Sequence, residues 1–577
     1  MQPNQKYSWW SRPEFHQVLL WIAPLAFLGI FYFYPLWEII NLSFARGDSG
    51  FIGAIRDLLA SESIRQILWF TFWQATLSTI LTLLIGLPGA FLIARYQFRG
   101  KSLLLALSTI PFVMPTLVVA AAFNAFLGPN GWINLGLMNF LHLSVPPLKL
   151  TNTIYAILLA HIFYNTTIVL RMVGDFWSHL DPRLTQAAQT LGANRWHTFK
   201  SVTLPLIAPS IAAASLLVFI FDFTSFGVIL ILGGPRFATL EVEIYYQTIS
   251  LFNLPLAAAL AILQLLCTLG ITIFYTRLSS RLTQPMRLQS RQYTQKKLIS
   301  WRERLLATVV ISFLILLLVT PLVALAVRSV TSVDTGRLQV GNPPPGFTLA
   351  YYRELSMNRQ SSLFYVTPTT AIAISLGYAI ATVLLAVALG FPAAWTLARN
   401  SQSRVNQMLD PILMLPIGTS AVTLGLGFIV ALNHPPLDLR ASPWLVPIAH
   451  TLVAFPFVVR SLTPALRTIQ PRLHHAAAML GASPGNVVRY IELPLVGRAL
   501  LVAATFAFAI SLGEFGATAL IARPEYPTVP LVIYRYLSLP GALNYGQALA
   551  LSTILMGICA AGILAIERFR VNGIGEF

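Results

Sequence analysis

The amino-acid sequence predicts an all-α polytopic membrane protein of about twelve transmembrane helices, arranged as two tandem six-helix modules. Three observations carry that reading. Hydrophobic residues make up 56% of the 577 positions and charged residues only 10%, whereas soluble globular domains carry about 25% charge. Apolar runs of membrane-spanning length recur along the whole chain. Distinctive residue strings from the first half return in the second at fixed spacing.

A span needs about 20 apolar residues. Candidates lie at 18–43, 66–94, 103–126, 153–176, 205–233 and 255–276, then at 305–327, 368–398, 408–432, 443–466, 495–522 and 545–566. Several contain proline, including Pro88, Pro111, Pro115, Pro392, Pro416 and Pro456. Membrane helices accept proline where neighbours satisfy the freed carbonyl. Cys267 and Cys559 sit in apolar runs, at no metal-ligand or disulfide spacing, and read as small core residues.

The net charge of +18 suggests retention of cytoplasmic loops by lysine and arginine rather than nucleic-acid binding. With the N-terminus inside, 26 of the 38 Lys and Arg residues fall on inner segments and 12 outside, while Asp and Glu divide about evenly. Both termini are therefore expected in the cytoplasm of a multi-pass protein of the bacterial inner membrane. Residues 277–304, with eight Lys and Arg, read as a basic cytoplasmic linker between a first module, 1–276, and a second, 305–577.

An offset of 289 relates Gly192 to Gly481, Leu204-Pro205 to Leu493-Pro494, Phe226-Gly227 to Phe515-Gly516, Tyr245 to Tyr534, and His161 to His450. Upstream, Gly86-x-Pro88 and Ala94-Arg95 return as Gly390-x-Pro392 and Ala398-Arg399 at an offset of 304. Six spans per copy is an even number, so both copies insert with the same orientation.

The most informative segment is a polar loop between the fourth and fifth spans of each half. In the first copy, residues 181–205, Asp181 caps a helix opened by Pro182, Gly192 ends it, and Asn194 caps a second helix reaching Leu204-Pro205. In the second copy, residues 470–494, Gly481 ends the first helix and Ser483-Pro484 opens the next. The pairs Ala187-Ala188 and Ala476-Ala477 would leave a shallow surface for another protein. This duplicated punctuation resembles the Glu-Ala-Ala loop of type I ABC importer permeases. The matching positions are Gln186, Ala187, Ala188, Gly192, Leu204 and Pro205, then His475, Ala476, Ala477, Gly481, Leu493 and Pro494. Gln186 and His475 stand where the family has glutamate.

The resemblance covers nearly the whole chain and implies a fused double permease. Such chains are familiar among ferric-iron and thiamine importers of the sulfate, molybdate and iron group. The strings LGEFGA at 512–517, FWQATLS at 72–78 and EVEIYYQ at 241–247 look like that group. The resemblance implies that ABC ATPase subunits, a homodimer, dock on the two loops. It also implies that an extracytoplasmic binding protein delivers the solute: ferric iron, thiamine or thiamine phosphate.

No catalytic constellation, metal-ligand spacing or cofactor motif stands out. Gly100-Lys101-Ser102 imitates the end of a phosphate loop, but Arg95 occupies the position of its first glycine. The rare intramembrane carboxyls, Asp222 and Glu514, are expected to line the translocation pathway. They are not equivalent: Asp222 matches Ser511, and Glu514 matches Ser225. His161 and His450 read as packing histidines. The alternative reading is an ion-coupled secondary transporter with duplicated six-helix halves, which would leave the repeated loop unexplained.

Overall fold

The computed structural model describes residues 13–44, 56, 58–282, 294–332, 346–357, 366–399, 403–433, 435 and 437–569. Among them, eleven helices are long and apolar enough to cross a membrane, and a bent pair, Arg404–Gly418 with Ala421–Ala431, makes a twelfth. The only strands among the described residues are Tyr96–Gln97 and Lys296–Lys297, which pair in parallel.

Several expected spans are broken. The run at 103–126 divides into Lys101–Val113 and Thr116–Leu127. Met114 is extended there (φ −66°, ψ 138°) because a following proline disfavours the helical region. Its counterpart at 408–432 turns through 96°. The fifth and eleventh runs end as helices at Phe223 and Gly513, and short helices Gly227–Leu232 and Gly516–Ile521 follow. Two further helices, Leu240–Ile249 and Val529–Ser538, are ten residues long and too short for a spanning pattern to reveal. The expected 277 boundary falls inside the helix Leu254–Leu282, residues 283–293 lie outside the described residues, and 294–297 lie against the first half. There Thr294 donates to the Ser178 carbonyl (2.5 Å) and Gln295 to that of Ile93 (3.2 Å).

Each half is built around its second, fourth and fifth spanning helices. Glu62–Arg95 packs on Ile154–Ile168 and Leu204–Phe223, and Pro368–Arg399 packs on Leu445–Arg467 and Leu493–Gly513. Matched glycines permit the close approach. A Cβ on Gly86 would lie 2.7 Å from Val169 Cβ, and one on Gly390 would lie 2.7 Å from Val458 Cγ1.

The first helix of each half crosses to the other. Tyr34–Phe44 packs on Ala421–Ala431, and Trp301–Ser329 packs on Thr116–Leu127. Tyr32 and Thr419 share a hydroxyl hydrogen bond of 2.6 Å, and Ser420 donates to Glu241 (2.5 Å). The bend in the second half is thus held by side chains of the first.

The glycine contacts give a direct test. Gly390→Ala should lower the apparent Tm of the detergent-solubilised protein, with an overpacking cost of about 1–3 kcal/mol. Gly377→Ala lies on the same helix, where an added Cβ meets nothing within 4 Å. It should hold the Tm or raise it, because alanine is the better helix former. Equal losses in both variants would show that close packing at Gly390 is not the cause.

Candidate functional site

On one face, each half presents the helix–glycine–helix loop. Pro182–Thr190 begins with Asp181 accepting from the Arg183 N–H (2.9 Å). Its second-half counterpart, Pro471–Met479, has no side-chain cap from Gln470, since glutamine is a poor N-cap. Gly192 and Gly481 are left-handed, with φ of 89° and 77°. Behind them the Ala193 N–H reaches the Ala188 carbonyl (3.1 Å), and the Ala482 N–H reaches that of Ala477 (3.0 Å). These bonds satisfy carbonyls that a helix end leaves orphaned.

Gln186, Ala187, His475 and Ala476 are exposed, whereas Ala188 is half-buried and Ala477 buried. The shallow surface expected of both alanines therefore belongs to the first of each pair. What protrudes instead is leucine: Leu191 and Leu480, equivalent residues, are each 88% exposed. The signal was present in the sequence as a leucine before each glycine, which the loop pattern alone did not single out.

Leu204-Pro205 and Leu493-Pro494 do not end the second helix, as the sequence suggested. The chain runs on as one helix from Arg195 to Phe223 and from Gly485 to Gly513. Proline lacks a donor and crowds the carbonyl four residues back. The preceding turn widens accordingly: the Leu204 N–H bonds Phe199 O and the Leu493 N–H bonds Val488 O, five residues back. The Leu-Pro pair therefore serves continuity from loop to span.

The second loop is also tied down by charge. Glu492, buried beside it, accepts from the Trp395 indole (2.6 Å), the Arg399 guanidinium and His474 (2.7 Å). The first half has Thr203 and Thr185 at the matching positions, beside Arg95 and Thr294 around a small cavity. Sequence reading passed over this cluster because its members are 18 to 97 residues apart.

Inside the membrane body, Asp222 and Glu514 are both buried, and each meets the histidine of its own half. His161 Nδ1 lies 3.0 Å from Ser78 Oγ and 3.4 Å from Asp222 Oδ1, and its Nε2 lies 2.9 Å from Ser225 Oγ. His450 Nδ1 lies 2.8 Å from Ser511 Oγ, and its Nε2 lies 3.3 Å from Glu514 Oε2. Asp222 also accepts from Asn165 (2.7 Å). Glu514 accepts from the N–H groups of Ala517 (2.9 Å) and Thr518 (3.1 Å) and from the Thr518 hydroxyl (2.7 Å). It therefore caps the short helix Gly516–Ile521. The packing reading of the two histidines missed these partners.

Immediately after each break stands a phenylalanine. Phe226 and Phe515 stack on each other, with centroids 5.4 Å apart and planes at 18°. Tyr245 flanks Phe226 (5.2 Å) and Tyr534 flanks Phe515 (5.4 Å). All four occupy equivalent positions in pairs. Two equivalent residues touching each other mark the pseudo-symmetry axis, as in an isologous interface.

A duplicated six-helix membrane body with one helix–glycine–helix loop per half is the architecture of a transport permease. The chain belongs to the family of binding-protein-dependent transport system inner membrane components, which matches residues 86–284 and 386–572. It is a multi-pass inner-membrane protein and, with two modules in tandem, the fused double form of a type I ABC importer permease. The chain is similar to the thiamine transport system permease protein ThiP of Escherichia coli strain K12, 27% identical over 516 residues, covering 87% of this chain and 88% of that protein. ThiP of Brucella abortus strain 2308 is 28% identical over 518 residues, covering 88% and 89%. A probable ABC transporter permease protein, y4fN of Sinorhizobium fredii, is 25% identical over 564 residues, covering 96% of each.

The capping role of Glu514 is testable. Glu514→Ala should destabilise the protein by about 1–3 kcal/mol, the cost of leaving buried donors unpaired. Glu514→Gln keeps one acceptor oxygen and should lie between the two in thermal unfolding in detergent. If Glu514→Ala unfolds with the parent, the carboxylate is no cap.

Proposed function

We propose that this chain is the pore of an importer for thiamine or thiamine phosphate, driven by separate ATPase subunits and supplied by an extracytoplasmic binding protein. The observation that carries the energy coupling is the duplicated loop with Leu191 and Leu480 standing out at matched positions. An exposed leucine beside a tight glycine turn suits insertion into a groove on a partner, and two copies suit a dimer of ATPase subunits. The concentration of Lys and Arg supports a cytoplasmic placement for the loops and both termini. Thiamine is favoured over ferric iron by the relatives, of which the named thiamine permeases match along almost their full length. The module limits we adopt are 1–276 and 305–577, with the basic stretch between them joining the halves. Asp222, Ser225, Ser511 and Glu514 stand at the breaks that precede the stacked Phe226 and Phe515.

Uptake of radiolabelled thiamine by cells expressing this chain with its cognate ATPase and binding protein tests the solute. ATP-dependent accumulation abolished by excess unlabelled thiamine is expected. Accumulation of ferric iron with no thiamine uptake would overturn the choice.

Coupling is tested at the glycines. A Cβ added at Gly192 or Gly481 meets nothing within 4 Å, so the fold is spared apart from a left-handed strain of about 1 kcal/mol or more. Gly481→Asp should insert normally yet lose most co-purifying ATPase and most uptake, and Gly192→Asp should follow with a smaller loss. Normal uptake by the double variant at normal expression would remove the loop from the mechanism.

A further inference from the structure

The two intramembrane clusters are the same device built in two registers. Four positions correspond between the halves: Ser78 with Thr382, His161 with His450, Asp222 with Ser511, and Ser225 with Glu514. The histidine is common to both. In each half its Nδ1 faces the first position of the break and its Nε2 faces the second. Carboxyl and serine have exchanged places around it: acid then serine in the first half, serine then acid in the second. The remaining hydroxyl member also persists, since Ser78 bonds the ring of His161 and Thr382 receives a bond from Ser511 (3.2 Å).

A carboxyl required as a solute contact would sit at one fixed place relative to the path. A carboxyl required only to grip a histidine can sit on either side of the ring. The exchange therefore favours the second role. The ring in turn spans the three-residue gap from 222 to 225, or from 511 to 514, and the stacking phenylalanine is the next residue in each half.

We propose that His161 and His450 are positioning residues of the closed permease. Each ring clamps the break in its spanning helix, and so presents Phe226 or Phe515 to its counterpart to seal the axis. The clamp acts through the break, without contact with solute. Gly227 and Gly516 complete the arrangement. A Cβ on Gly227 would lie 3.3 Å from the Phe515 ring, and one on Gly516 would lie 3.0 Å from Ala421 Cβ. The short helices can thereby press against the opposing ring and the neighbouring helix. Moving the acid from 222 to 225 would place it opposite the N–H groups of Val228 and Ile229, in the first turn of Gly227–Leu232. Their second-half equivalents, Ala517 and Thr518, are the ones Glu514 caps.

The test is a register exchange in the full chain, in membrane vesicles, with Cys267→Ala and Cys559→Ala removing the native thiols. Ile229→Cys is the reporter, because Ile229 has no exposure in the closed state and lies behind the seal. The probe is 2-(trimethylammonium)ethyl methanethiosulfonate. Asp222→Ser and His161→Asn should each speed labelling about tenfold or more, as expected when buried polar contacts worth at least about 1.4 kcal/mol are lost. Asp222→Ser with Ser225→Glu should return labelling to within about twofold of the parent, since the clamp is rebuilt in the other register. Adding His161→Asn to that exchange should restore fast labelling. A general loss of packing would not be rescued by moving the acid. Parent-rate labelling in both single variants would overturn the clamp, and so would an exchange as fast as Asp222→Ser. If Asp222→Ser fails to insert, the reciprocal set decides in the same way: Glu514→Ser against Ser511→Asp with Glu514→Ser, read at Leu520→Cys. The proposal rests on the pore reading above, but labelling needs neither solute nor ATPase, so failed uptake and a failed clamp are separate results.

Discussion

Lipid offers no partner to a free N–H or C=O group, so a membrane helix that breaks must satisfy its own loose ends. This molecule breaks its spans near its centre in both halves, and several of its buried polar side chains are spent there. Gln74 donates to the Asp222 carbonyl (2.8 Å), where the fifth span ends. Tyr164 donates to the Met114 carbonyl (3.1 Å) at the proline break. Thr71 accepts the Leu240 N–H (3.1 Å), and at the equivalent place Ser375 accepts the Val529 N–H (2.8 Å). In each half, these supports hold the segments around the axis in place.

The halves agree where backbone geometry decides and diverge where side-chain chemistry has more than one solution. A left-handed helix end admits glycine at little cost, so Gly192 and Gly481 coincide. A widened turn before proline follows from proline's missing donor, so both Leu-Pro junctions share it. Anchoring a loop to a span can be done in several ways. The second half uses a buried Glu492 with an arginine, a histidine and an indole. The first has Thr185 and Thr203 at those places, and there Thr294 of the segment joining the halves donates to the Ser178 carbonyl. The acid exchange around His161 and His450 is the same freedom at shorter range.

Composition and periodicity made the all-helical membrane class and the two-module repeat legible, because lipid demands long apolar runs and the repeat preserves its punctuation. The loop was readable in detail, since Asp181, Pro182, Gly192 and Asn194 each act on backbone within a few residues. The breaks after Phe223 and Gly513 were not. Thr224 and Ser225 carry no turn signal of their own, and the determinants lie 61 to 64 residues away at His161 and His450. For the same reason Asp222 and Glu514 were picked out as rare charges while their partners were missed. The inward turn of Ala477 and the outward thrust of Leu480 depend on how the short helix lies on the body, which local pattern does not specify.

The crossing of first helices sets an order of manufacture. Trp301–Ser329 covers Thr116–Leu127 and contacts the Gly89 surface, where Leu314 Cδ1 would lie 2.9 Å from an added Cβ. When the ribosome has finished the first six spans, that wall is still bare to lipid or to the insertion machinery. It is covered only once the next spanning helix is made. The pairing of Lys296–Lys297 with Tyr96–Gln97 fixes the start of that helix beside the wall it must cover. A nascent first half is therefore an unfinished body, and the stretch joining the halves acts as a guide rail for its own completion.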